Sequence, residues 1–442
     1  MTTHRPKTQL IHSSEIYHGL PSYPPLKPQV AIVTGANGIS GSHTLRVLAA
    51  APERWSKIYA LSRRPPPPKI LESLAGGRER VEHVACDFLV PADEIAAALQ
   101  ERVSSVDVVF FYSYLQPAPP QGAAAWSNAA KLVDVNSALL QNFLQALALA
   151  QVRPKRFLLQ TGAKNYGAHL GAALTPAVES DPRIALEPNF YYPQEDLLWE
   201  YCRREGVGWN VMRPSWIIGA TTDAQMNITY GLGLYAAVQA YRREPLLFPG
   251  DLKAWETAHT HSSAQLTGYQ SEHAVLEESM RDQAFNAVDG TPFSWGRLWP
   301  LLAGWYGTTA GRPELDRDKY QSITMPHSPP PRGWGPATTC RYTFTMTAWA
   351  GDPAVQQAWS EIVQKHGLDT SRNPFSRPEE TFLFLDGALW AMERLNLSEM
   401  KCRKMGWHGV VDTSESIFTT LDEFSKLGLL PAMTVGESGV PL

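Results

Sequence analysis

Gln29-Val-Ala-Ile-Val-Thr34-Gly35-Ala36-Asn37-Gly38-Ile39-Ser40-Gly41 is a short β-branched run that ends in a glycine-rich turn. The run predicts a strand buried on both faces, as in a parallel sheet. Ser42–Ala50 (SHTLRVLAA) continues with helical spacing. The glycines recur as GxxGxxG between strand and helix. There the first makes a tight turn, the second lets a pyrophosphate approach the backbone, and the third lets helix and strand pack closely. The phosphate then rests on the positive helix N-terminus. Thr34, Gly35, Asn37, Gly38, Ile39 and Gly41 are therefore candidate cofactor contacts. The bland alternative is a purely structural turn.

Working outward, strands are predicted at Lys57–Arg64, Arg80–Phe88, Val106–Tyr114, Lys155–Gly162 and Gly208–Gly219. Helices are predicted at Pro91–Val103 and Ala129–Ala150. This alternation implies an α/β fold, a Rossmann-type doubly wound parallel sheet over residues 29–220. Residues 1–28 carry Pro21, Pro24, Pro25 and Pro28 and read as an arm on the surface, partly ordered at best. Residues 221–442 read as a largely helical substrate-capping lobe over the carboxyl edge of the sheet, with some strands returning to it, such as Gln283–Gly290. Ser294–Gly307 reads as a helix, and the Pro/Thr-rich stretch at 320–351 as an insertion or long loop.

Composition narrows the function classes. An apolar fraction of 44% supplies a substantial core, which excludes a largely disordered chain. With 39 basic and 43 acidic residues the net charge is -4. That gives no footprint for nucleic acid or an anionic membrane. Cys86, Cys202, Cys340 and Cys402 form no CxxC pair, so a reducing, cytoplasmic location is expected. No apolar run approaches the roughly 20 residues that span a bilayer. The expected partner is a hydrophobic small molecule; a homodimer is a further expectation.

Cofactor choice is written about 20 residues beyond the glycines, where an acidic residue would select NAD and an arginine a 2′-phosphate. The chain has Leu61-Ser62-Arg63-Arg64 and no carboxylate. Ser62, Arg63 and Arg64 therefore favour NADPH, although a solvated basic loop reads the same way. Asp87 suits the adenine amino group or a turn cap. Tyr112 follows the fourth strand at the cofactor edge. Pro214 and Ile217 follow the sixth, where this fold meets the nicotinamide.

For chemistry, the string Tyr23-Pro-Pro-Leu-Lys27 has the tyrosine–lysine spacing of short-chain dehydrogenases, but it precedes the glycine loop and is discarded. The expected location holds Asn189-Phe190-Tyr191-Tyr192-Pro193-Gln194-Glu195-Asp196, with Glu195 where lysine belongs. Lysine stands instead in Thr161-Gly162-Ala163-Lys164-Asn165-Tyr166, after the fifth strand. TGxKxY followed by NFYYxxED resembles the progesterone 5β-reductase/iridoid synthase-like (PRISE) family of atypical extended short-chain dehydrogenases/reductases. RPSWIIG, AFNAVDG and KMGWHGVVDTSESIFTTLDEF are similar to its later blocks. The resemblance implies NADPH as cofactor, Lys164 and Tyr191 as the catalytic pair, and reduction of an enone or carbonyl group in a hydrophobic small molecule of secondary metabolism. Alternatives in the same pocket are a ketone reductase, a cyclase, or a protein that binds NADPH without turnover.

A phenol and an ammonium beside the distant oxygen of an enone would stabilise the charge that hydride addition develops there. Lys164 is also expected to favour ionisation of Tyr191. Glu195 and Asp196 read as first-turn acids at a helix start. Tyr114, Tyr166, Trp216 and Met226 are candidate pocket residues, Tyr166 equally readable as packing. Trp216, Met226, Trp255 and the helices after Gly290 are expected to wall the nicotinamide. His259 and His261 form an HxH, but no cluster completes a metal site, and none is expected.

Overall fold

The computed structural model describes residues 10–72, 74, 78–117, 128–222, 226–369, 371, 373–391 and 395–435. Seven parallel strands form its central sheet: β1 (Gln29–Thr34), β2 (Trp55–Ser62), β3 (Val81–Ala85), β4 (Val108–Phe111), β5 (Arg156–Gln160), β6 (Gly208–Pro214) and β7 (Gln283–Ala287). Their spatial order is β3-β2-β1-β4-β5-β6-β7. The order reverses between β1 and β4, the crevice where ligands bind in open α/β sheets. All four residues of β4 are buried, as expected for a strand covered on both faces.

Helices α1 (Ile39–Ala49), α2 (Ala92–Arg102), α3 (Ala129–Leu149) and α4 (Tyr191–Glu205) follow β1, β3, β4 and β5. Leu99, Phe143 and Leu198 of α2, α3 and α4 share one buried layer with alternate sheet residues such as Ile32 and Phe157. The opposite face packs on α1 and on α6 (Ala264–Leu276), which follows the cap helix α5 (Ile228–Arg242). The chain after residue 220 thus contributes a helix and a strand to the Rossmann layer as well as the cap.

The cap has its own core. Leu232 and Tyr235 of α5 pack with Trp295, Trp299 and Leu302 of α7 (Trp295–Trp305), and with Trp359, Phe382 and Leu421 from later helices. Pro300 sits inside α7.

Three expectations change in detail. The arm forms a hairpin, Ile11–Ser14 with Tyr17–Pro21, with Tyr17 and Leu20 buried. It is clasped to the C-terminal segment by paired bonds between His18 and Val410, at 3.0 and 2.9 Å; its first nine residues lie outside the described ones. Second, the segment at 320–351 is no structureless loop. It contains an antiparallel hairpin, Gln321–Thr324 with Thr339–Tyr342, and the short helix Met346–Ala350. Third, the sixth strand divides. After Pro214 the Ser215 N–H donates to Ser262 Oγ at 2.7 Å, and Trp216–Ile218 pairs with His261–Ser263.

Candidate functional site

The glycine loop, the Ser62–Arg64 turn, Asp87, Tyr112, Lys164 and Pro214 all lie at or just after the carboxyl ends of their strands and therefore share one edge. Gly35 has φ +61, and a Cβ there would lie 2.9 Å from the Tyr112 carbonyl group. A Cβ at Gly41 would fall 2.3 Å from the Gly35 oxygen. Only glycine lets α1 begin this close to the turn. Gly38 caps α1 with no side-chain bond, so the first-turn amides stay available to an anion.

The basic turn is fastened to this loop. Asn37 Nδ2 donates to the Arg64 carbonyl at 2.7 Å, and the Ser62 hydroxyl donates to the same oxygen at 2.7 Å. Arg63 and Arg64 are exposed. From the cap side, Thr221 Oγ1 donates to the Asn37 carbonyl at 2.9 Å, and Gln160 Nε2 at the end of β5 donates to Ser40 Oγ at 2.8 Å. The cap thus closes on the edge that carries the glycines.

Other candidates have structural duties. Thr34 Oγ1 is buried and accepts from the N–H groups of Tyr112 and Ser113, at 3.1 and 3.3 Å. The Tyr112 hydroxyl accepts from Thr44 at 3.0 Å on α1, and burial raises its pKa to about 12; it is the Tyr112 backbone that meets the glycine turn. Asp87 accepts from Leu89 N at 3.0 Å, the turn-cap reading. Ile217 is half-buried on the strand that leaves β6. Tyr23 lies away from this edge: its ring sits 5.0 Å from the guanidinium of Arg54, which precedes the amino end of β2.

Lys164 and Tyr191 approach from different elements. Lys164 lies on a 3-10 turn, Ala163–Tyr166, directly after β5. Tyr191 opens α4. Its hydroxyl would be 2.9 Å from a Cβ placed on Gly162, and the Pro214 carbonyl 3.4 Å from that point. Phe190 is buried, 4.5 Å from the Tyr191 ring and 5.7 Å from Lys164 Nζ, and stacks on Tyr114 at 5.6 Å. Tyr114 thus joins the Lys164–Tyr191 corner.

Enclosure decides both ionisations. It lowers the Lys164 pKa to about 8, against a smaller opposing pull from Glu187. It pushes the Tyr191 phenol well above its ordinary range. The expectation that Lys164 promotes ionisation of Tyr191 finds no support here: burial raises the Tyr191 pKa, and Lys164 is not among the causes that act on it.

The NFYYxxED string has a physical content that spacing did not reveal. Asn189 Nδ2 donates to the Lys164 carbonyl at 3.1 Å, and its Oδ1 accepts from Tyr191 N at 3.1 Å. The Tyr192 hydroxyl donates to the Asn165 carbonyl and accepts from Ile184 N, each at 2.8 Å. Neither Glu195 nor Asp196 is a first-turn acid, because α4 starts at Tyr191 and has none in its first turn; Glu195 is instead a buried partner of two arginines. It is 1% exposed and pairs with Arg213 of β6 at 2.8 Å and with Arg183 at 3.3 Å. Asp196 is exposed and pairs with Arg183 at 2.8 Å. The Tyr166 hydroxyl donates to Asn286 Oδ1 at 2.5 Å beside Arg213, which is the packing reading of that residue.

Beyond this corner, Trp216 lies 4.9 Å from Phe384 and shares a cleft with His259, Trp295 and Trp390. Trp255 packs on Phe248 at 5.0 Å, and Met226 is half-buried before α5. The 320–351 segment rests on the stretch after Lys164. Arg332 N donates to Ala172 O, and Ala172 N donates to Thr338 Oγ1, both at 2.9 Å. His327 Nε2 is 3.3 Å from Glu187. Among the described residues no three His, Cys, Asp or Glu side chains form a metal-binding group. No described helix is long and apolar enough to cross a membrane.

Strand order and the glycine cradle define a Rossmann fold, with a lysine–tyrosine corner at its carboxyl edge. The PRISE-like Rossmann-fold domain model matches residues 31–325, and the chain belongs to that family. It is 29% identical over 409 residues to the short chain dehydrogenase gsfE of Penicillium aethiopicum, covering 91% of this chain and 100% of that protein. It is 31% identical over 292 residues to 3-oxo-Delta(4,5)-steroid 5-beta-reductase of Arabidopsis thaliana, covering 63% and 69%. An (S)-8-oxocitronellyl enol synthase of Camptotheca acuminata is 27% identical, covering 91% and 93%. Among solved structures, the terminal R domain of the myxalamid biosynthetic pathway superposes with TM-score 0.56 at 14% identity, over 95% of this chain and 96% of that one. That likeness concerns the fold.

Proposed function

We propose that this protein is an NADPH-dependent reductase of an enone or carbonyl group in a hydrophobic small molecule of secondary metabolism. The observation that carries the reading is the Tyr191 hydroxyl, set against Gly162 on the loop that bears Lys164 and on the edge that bears the glycine cradle. The residues present suit the cofactor: a cradle that a Cβ would fill, an uncapped helix start, and a buried Asn37 Oδ1 with no hydrogen-bond partner in the protein. Gly35, Gly38 and Ile39 would hold the pyrophosphate, and Arg63 with Arg64 the 2′-phosphate. When bound, the nicotinamide supplies hydride.

The chain's own contribution is to the charge that hydride transfer creates. In an enone, addition at the β-carbon moves negative charge to the carbonyl oxygen. Tyr191 donates its phenolic proton toward that oxygen, and the Lys164 ammonium lowers the energy of the charge in a site shielded from water. Phe190 and Tyr114 hold the apolar side of the corner. The reductase, enol synthase and dehydrogenase among the relatives support this class of chemistry.

The test is incubation with NADPH and a panel of enones and ketones, following loss of NADPH absorbance and product mass. Tyr191→Phe should lower turnover by about 10²–10³, with NADPH affinity unchanged. Full turnover in Tyr191→Phe, or no turnover of any substrate by the wild type, would defeat the reading.

A further inference from the structure

We propose that Asn189 is a positioning residue that fixes Lys164 and Tyr191 relative to each other; this rests on the reductase reading of the site. The residue is 6% exposed, and its side chain bridges the two backbones. One end donates to the Lys164 carbonyl, and the other accepts from the Tyr191 N–H, each at 3.1 Å. Lys164 belongs to the turn after β5 and Tyr191 to the start of α4, so no shared element sets their separation. A carboxamide suits this place because one planar group carries both a donor and an acceptor. Aspartate would keep the acceptor and lose the donor; alanine would lose both.

Asn189 is not the sole tie between α4 and this loop. The Tyr192 hydroxyl also bonds the Asn165 carbonyl, so the loop has a second anchor when Asn189 is replaced. What Asn189 adds is a direct tie between the backbones of the two residues that carry the reacting side chains. Oxyanion stabilisation depends on that placement, and a displacement of about 1 Å can cost about 10² in rate.

The experiment combines steady-state kinetics with acetic anhydride labelling of Lys164, read by mass spectrometry across pH. Asn189→Ala should lower kcat for an enone by about 10², leave KM and NADPH affinity unchanged, and move the Lys164 labelling midpoint upward as the loop loosens and water reaches the amine. In a Tyr191→Phe background the same change should cost little more, because the residues act as a unit. Asn189→Asp should release Lys164 while keeping the Tyr191 contact, and it carries the labelling comparison if the alanine variant does not fold. An unchanged kcat, an unchanged midpoint, or a fully multiplicative loss would overturn the proposal. If the wild type reduces nothing, the reductase reading fails, and the labelling midpoint alone decides whether Asn189 holds Lys164.

Discussion

The glycine loop and the Lys164–Tyr191 corner lie on one sheet edge but are assembled in opposite ways. The loop is made from neighbours in sequence: Gly35, Gly38 and Gly41 contact one another and the backbone that follows β4. The corner gathers residues from three places, with Gly162 after β5, Tyr191 on α4 and Pro214 on β6. Side chains hold it together, through Asn189, Tyr192 and the Glu195–Arg213 pair. The first region depends on the absence of atoms, and the second on buried polar contacts. A substitution should therefore injure the loop by adding bulk and the corner by removing a partner.

The sharpest test of that contrast is Gly41→Ala. The added Cβ would lie 2.3 Å from the Gly35 oxygen and 2.8 Å from its carbonyl carbon, both backbone atoms. The turn has to move, so NADPH binding should be abolished in calorimetry. Overpacking of this kind typically costs about 1–3 kcal/mol of stability. Near-normal affinity would mean that the cradle is softer than its geometry implies.

Next in size is Glu195→Gln at the corner. It leaves the Arg213 guanidinium, 7% exposed, without its charged partner. Removing one member of a buried pair costs about 3–5 kcal/mol. Chemical denaturation should show a loss near the lower end, because glutamine still accepts a hydrogen bond. A loss below about 1 kcal/mol, the range of exposed pairs, would return Glu195 to the role of a helix-start acid.

A smaller effect concerns pH. In the proposed mechanism Lys164 acts as the cation, the form present below its pKa. Enclosure lowers that pKa to about 8, so kcat/KM should fall as pH rises through about 8. Lys164→Arg should move that limb out of the accessible range, since a guanidinium stays charged. A limb that persists in the arginine variant belongs to another group.

The smallest expected change is at the basic turn. Arg63→Ala together with Arg64→Ala should erase a preference for NADPH over NADH of about tenfold, the worth of a single charge-assisted contact. Both arginines are exposed, so stability should not follow. Retained preference would shift the recognition of the phosphate to Asn37 or Ser62.

A recurrent pattern of glycines, β-branched runs and helical spacing made the Rossmann sheet legible in the sequence, because each of those signals is local. The same holds for the cap's helices and for the TGxKxY and NFYYxxED motifs that placed Lys164 and Tyr191 among the candidates. What the sequence could not determine was set by contacts between distant segments. Glu195 reads as a helix-start acid until Arg213 arrives beside it from β6. Tyr191 reads as a phenolate partner until its enclosure is known. The 320–351 stretch reads as loop because its strands are short, and its contact with Ala172 spans more than 150 residues. Desolvation and ion pairing depend on what surrounds a group in space, and only the tertiary structure assembles those surroundings.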